Sequence, residues 1–74
     1  MAKIEVKSEI TGKVWKIETK PGDVLAEDDP ILILESMKME IPVMAPTGGK
    51  LIEILVAEED TVEEEQVIAI MDDA

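Results

Sequence analysis

Lys38 stands between two methionines in the run Glu35-Ser36-Met37-Lys38-Met39-Glu40. A lysine amine is a nucleophile only when deprotonated, and in water at neutral pH almost all of it carries a proton. Activating it takes a neighbouring base, desolvation or another enzyme. The chain offers few internal candidates. It holds no His, Cys, Tyr or Phe, and its seven basic residues are all lysines. The commonest general acid/base and the thiol nucleophile are therefore missing, and zinc sites built on His and Cys are excluded. Carboxylates are plentiful, yet none falls on a calcium-loop pattern such as D-x-[DN]-x-[DN]-G. No catalytic residue and no metal site is expected, and an autonomous enzyme is the least favoured reading. From composition alone, Lys38 could equally be a solvated lysine at a turn, and Met37 and Met39 could be gap-filling core residues.

The flanks of this run specify how it is held. Ile31-Leu32-Ile33-Leu34 precedes it and Ile41-Pro42-Val43-Met44 follows it. Both read as strands, and so few intervening residues require a tight hairpin. With Met37-Lys38 as the central pair, the lysine projects from the tip. Neither residue favours positive φ, so a primed turn here carries strain. Pro42 cannot donate a ladder hydrogen bond, so its strand is expected to be an edge strand or irregular there. The continuous run Ile31 to Leu34 suggests a strand covered on both faces.

Shifting the sequence by 37 residues aligns its two halves without a gap. Gly12-Lys13 meets Gly49-Lys50; Val14, Trp15 and Ile17 meet Leu51, Ile52 and Ile54. Asp23-Val24-Leu25 meets Asp60-Thr61-Val62, Ile31 and Ile33 meet Ile68 and Ile70, and Ile4 and Val6 meet Ile41 and Val43. Two copies are too few for a solenoid. A closed structure in which each half supplies one layer of a shared core fits better. The expected organisation is one domain, residues 1–74, built from half-repeats 1–37 and 38–74. Turn signals at Lys20-Pro21-Gly22-Asp23, Asp28-Asp29-Pro30 and Ala45-Pro46-Thr47-Gly48-Gly49 separate short strands, the spacing of a sandwich or flattened barrel. Glu58 to Gln66 has helical propensity, but its alignment with Asp23 to Asp29 favours turns and short strands. Trp15, the sole aromatic residue, aligns with Ile52 and reads as core or half-buried packing.

A domain of 74 residues with a formal charge of −11 has little core to spare for a deep pocket. Nucleic-acid phosphates and anionic membranes repel such a surface, and no apolar run approaches the roughly 20 residues of a membrane span. A cytoplasmic or organelle-interior protein is expected. The acidic runs Glu27-Asp28-Asp29, Glu58-Glu59-Asp60 and Glu63-Glu64-Glu65 read first as a solubilising face, with electrostatic steering toward basic partners as the sharper alternative.

The segment Glu35-Ser36-Met37-Lys38-Met39 closely resembles the attachment motif of biotin carboxyl carrier proteins, in the biotinyl/lipoyl-attachment family. Pro21-Gly22-Asp23-Val24, Ala45-Pro46 and Gly49-Lys50 also sit where that family has equivalents, so the resemblance covers almost the whole chain. It implies an all-β fold: two four-stranded antiparallel sheets with quasi-two-fold symmetry, a flattened barrel-sandwich hammerhead with the target lysine on a hairpin. It implies biotin, covalently attached to Lys38 by a biotin protein ligase that recognises Met37 and Met39, with Glu35 and Ser36 completing the motif. It further implies a carrier, not an enzyme: a biotin carboxylase loads a carboxyl group and a carboxyltransferase or decarboxylase takes it off. Two departures concern turns. Asp28-Asp29 stands where the family usually has Gly-Gln, and Glu58-Glu59 replaces the usual glycine of the second half. A lipoyl carrier on the same fold is the nearest alternative, but lipoyl domains typically show Asp-Lys-Ala in place of Met37-Lys38-Met39. An unmodified scaffold acting as an interaction module is the third reading.

Overall fold

Ile4-Glu5-Val6-Lys7 folds as its alternation demands, with Val6 buried and Glu5 and Lys7 facing solvent. The structure, a computed structural model, describes residues 3–73. Met1, Ala2 and Ala74, the outermost residues of the expected half-repeats, lie outside that range. Eight strands follow in chain order: β1 (Lys3–Lys7), β2 (Gly12–Ile17), β3 (Val24–Leu25), β4 (Pro30–Ser36), β5 (Met39–Met44), β6 (Gly49–Ile54), β7 (Thr61–Val62) and β8 (Val67–Asp72). They form two four-stranded sheets, ordered β1-β8-β6-β3 and β5-β4-β2-β7. All neighbouring strands are antiparallel, so the fold class is the expected one. The acidic segment Glu58 to Gln66 forms turns around β7. No helix occurs among the described residues, and none is therefore long and apolar enough to cross a membrane.

The 37-residue offset carries each strand of the first half onto one of the second. β2 at 12–17 meets β6 at 49–54, and β3 at 24–25 meets β7 at 61–62. The same shift converts one sheet order into the other. It also relates the turn bonds. Lys20 N–H donates to Asp23 Oδ2 at 3.0 Å, as Ala57 N–H does to Asp60 Oδ2 at 2.9 Å. Ala26 N–H donates to Asp29 Oδ2, as Glu63 N–H does to Gln66 Oε1, both at 2.9 Å.

The core is built from matched pairs: Val14 and Leu51, Leu25 and Val62, Ile31 and Ile68, Leu32 and Ala69, Leu34 and Met71, all buried. Ser8 and Ala45 form a further buried pair, and the Ser8 hydroxyl donates to the Ile10 carbonyl. Burial of these apolar side chains between the sheets is the main favourable term holding the layers together.

Bulges explain two departures from simple alternation. Pro30 pairs with Met44 but Leu32 with Val43, so β4 contains one additional residue there. Consecutive Ile31 and Leu32 are both buried as a result. The apolar run thus reflects this bulge rather than a second covering layer, since Ile33 remains partly exposed. In β2, Val14 pairs with Leu34 and Lys16 with Ile33, which leaves Trp15 as the additional residue. Trp15 keeps 44% of its surface exposed, and its counterpart Ile52, on the matching bulge of β6, keeps 37%. The core reading of Trp15 therefore does not hold, because the bulge turns it outward.

Candidate functional site

β4 and β5 form the hairpin that carries the Glu35–Met39 motif. Its ladder runs from Pro30↔Met44 through Glu35↔Glu40 to Ser36↔Met39, leaving Met37 and Lys38 as a two-residue loop. Both have positive φ, 51° and 66°. That is the pattern of a type I′ turn, the connection whose twist matches its flanking strands. Glycine or asparagine would adopt it with little cost, whereas a side chain in this region costs about 1–2 kcal/mol per residue. The strain persists because the paired strands below hold the two-residue connection in the turn whose twist matches their own.

The end of β4 that leads into the turn is clamped. Gly12 opens β2 directly against the end of β4: a Cβ there would lie 2.8 Å from the Glu35 carbonyl oxygen. Only glycine permits this approach without displacing the backbone that leads into the turn. In the sequence, Gly12 read as a strand start. Its recurrence as Gly49, which packs in the same way against Asp72, was the available signal for a close approach.

At the tip, Lys38 is exposed. Among the described residues it forms no hydrogen bond or ion pair. Met37 is 89% and Met39 58% exposed, so neither methionine fills the core. One rung below, Glu35 and Glu40 face each other across the ladder, both in solvent, and Lys13 sits on the other side of Glu35. Lys13 is engaged elsewhere, its Nζ 3.0 Å from Glu59. Ser36 is half-buried. The motif is thus one continuous structure: a free amine at a rigid apex, two exposed thioethers beside it and two carboxylates beneath.

Two shallow grooves, one on the outer face of the β1 sheet and one between β1 and β5, are lined by other residues. No group of three or more potential metal-ligating side chains occurs among the described residues. An exposed amine without partners can be reached by a foreign active site and acylated there, and the space around it accommodates a long substituent.

The two unusual turns also become clear. Asp28 and Glu59 adopt φ of 73° and 79°, so these turns keep the conformation that glycine would favour instead of rearranging. Glu65, the repeat partner of Asp28, does the same at 73°.

A family model described as biotin-requiring enzyme, of the biotin/lipoyl type, matches residues 2–71. A biotin/lipoyl attachment protein of Bacillus subtilis is 40% identical over 63 residues, covering 85% of this chain and 86% of that protein. A biotinylated protein TB7.3 homolog of Mycobacterium leprae is 34% identical over 67 residues, covering 90% of this chain and 94% of its own length. Among solved structures, Kluyveromyces lactis urea carboxylase superposes with a TM-score of 0.92 at 33% identity, over 97% of this chain. The chain therefore spans most of two small relatives and 6% of that large carboxylase chain.

Proposed function

The chain belongs to the biotin/lipoyl-attachment family as a biotin-carrying domain of the kind found in carboxylases, and we propose that it is a carboxyl carrier with biotin joined to Lys38. The observation that carries this reading is the apex itself. Lys38 is the exposed, unpartnered amine of a strained two-residue turn, bracketed by exposed Met37 and Met39. The 74 residues act as one carrier unit of two half-repeats, 1–37 and 38–74.

Attachment is acyl transfer. In the ligase active site, the deprotonated Nζ of Lys38 attacks the activated carboxyl of biotinyl-AMP; an amide forms, AMP leaves and the amine proton goes to the ligase or solvent. The chain supplies no base for this step, and its role is presentation. Met37 and Met39 give the ligase two apolar contacts on an otherwise acidic surface, and the strained turn holds Nζ away from the sheet. Glu35 and Ser36 set the last rungs before the turn.

Bound biotin supplies a ring nitrogen that can hold and release a carboxyl group. The chain keeps that group tethered while it moves between a biotin carboxylase and a carboxyltransferase or decarboxylase, so the second encounter becomes intramolecular, at effective concentrations of order mM. A rigid domain with one long arm needs no pocket of its own for this task.

The test is the intact mass of the chain after incubation with biotin protein ligase, ATP and biotin. One added biotinyl group is expected, and Lys38→Arg should abolish it without changing the unfolding midpoint. Biotin on any other lysine would overturn the assignment. Lipoylation without biotinylation would transfer it to a lipoyl carrier.

A further inference from the structure

The methionines differ widely in exposure. Met37 is 89% exposed, Met39 58%, Met44 47% and Met71 0%. Among the described residues, the two most accessible thioethers are the two that bracket Lys38. Met37 is itself a turn residue at positive φ, held out from the sheet by the same geometry that holds out the amine. Thioether oxidation requires access to sulfur, and its product is a polar, chiral sulfoxide in place of a flexible apolar group.

We propose that Met37 and Met39 are oxidant-sensitive modification sites, and that their conversion to sulfoxides by a hydroperoxide closes the Lys38 hairpin to its ligase. The sulfur lone pair attacks one peroxide oxygen and the O–O bond breaks as the S–O bond forms. Sulfur loses two electrons. Hydrogen peroxide is reduced, its second oxygen leaving as water with both hydrogens. The backbone is untouched, and buried Met71 is shielded in the core, so the domain stays folded while the surface around the amine changes from apolar to strongly dipolar. Reduction by methionine sulfoxide reductases with a thiol reverses the change, one enzyme for each sulfoxide epimer. The modification therefore acts as a reversible block. Its functional half rests on the carrier reading given above.

The experiment uses the 74-residue chain exposed to graded hydrogen peroxide. Proteolytic peptide masses follow each methionine, with Met1 scored separately. Met37 and Met39 should oxidise first, Met44 later and Met71 last. Labelling of Lys38 by biotin protein ligase should slow about tenfold or more when both flanking thioethers are sulfoxides, through the loss of apolar contact. Sulfoxide reductases A and B with dithiothreitol should restore it. In the double variant Met37→Leu/Met39→Leu, whatever its starting rate, peroxide should leave the rate unchanged. Oxidation of Met44 or Met71 ahead of the flanking pair overturns the proposal. So does an unchanged rate in the oxidised chain, or an undiminished peroxide effect in the double leucine variant. If the unoxidised chain takes up no biotin, the carrier reading fails together with the functional half of the proposal; the order of oxidation still decides the modification sites.

Discussion

Gly22 and Glu59 occupy the same turn in the two half-repeats, at φ 100° and 79°, and their N–H groups donate equivalent bonds to Leu51 at 2.7 Å and Val14 at 2.8 Å. One side chain suits the backbone there and the other does not, yet the turn is the same. Strand pairing dictates the conformation, and the side chain decides only its cost. The interior follows the same rule, since each buried residue of the first half has a buried or half-buried counterpart 37 positions on. The outer faces do not match. Pro42 and Met44 on the Lys38 sheet correspond to Glu5 and Lys7 on the other, and Trp15 corresponds to Ile52. The repeat therefore keeps what the fold requires and leaves the surface free, and it is on that surface that the hairpin joining the two halves presents Lys38.

The strongest way to break this comparison is to cut into one matched pair of the core. Leu34 and Met71 are both fully buried and related by the repeat. Leu34→Ala and Met71→Ala should each cost about 2–5 kcal/mol by denaturant unfolding. If the core is shared evenly, the two values should lie within about 1 kcal/mol of each other, inside the usual spread for such sites. A negligible cost at one site would show that one half carries the stability.

A second pair separates stability from presentation. Gly12→Ala brings a Cβ against the Glu35 carbonyl, and Gly49→Ala brings one still closer against the Asp72 carbonyl. Each should destabilise by about 1–3 kcal/mol through overpacking, with Gly49 the costlier. Only Gly12 lies against the strand end that leads into the Lys38 turn. Gly12→Ala should therefore also slow biotinylation of the folded protein, measured well below its unfolding midpoint, whereas Gly49→Ala should not. Equal labelling of both variants would mean that the ligase tolerates movement of the strand end below the turn.

The features legible in the sequence share a physical basis. The period of two at Ile4 to Lys7, the matched apolar positions and the Pro42 edge follow from strand geometry and from one offset. The tight hairpin followed from two strand-like runs with only Glu35 to Glu40 between them; the ladder is what makes Met37 and Lys38 its two-residue loop. The features that escaped depend on a partner strand. A bulge inserts one residue in a place fixed by the register of its neighbour, so Ile31-Leu32 read as doubly covered and Trp15 as a core candidate. Positive φ at Asp28, Glu59 and Glu65 was equally hidden, because local preference opposes it and only the surrounding ladder imposes it.

The finest test returns to Gly22 and Glu59. A side chain in the left-handed region costs about 1–2 kcal/mol, and glycine gives back about 0.5–1 kcal/mol of that as greater freedom in the unfolded chain. Glu59→Gly also removes the ion pair with Lys13, but both side chains are largely solvated, 48% and 75% exposed, so that pair contributes little. The balance favours glycine: Glu59→Gly should stabilise the domain by about 0.5–1 kcal/mol, a rise of roughly 2–8 °C in Tm for a chain of this size. Gly22→Ala should lower Tm by a similar amount, and from strain alone, since nothing lies within 4 Å of the added Cβ. Opposite shifts of similar size at the two sites would establish that the turns differ only in the cost of their side chains. If Glu59→Gly lowers Tm instead, the glutamate contributes something the turn's backbone does not show, and the second half-repeat is then held by different interactions from the first.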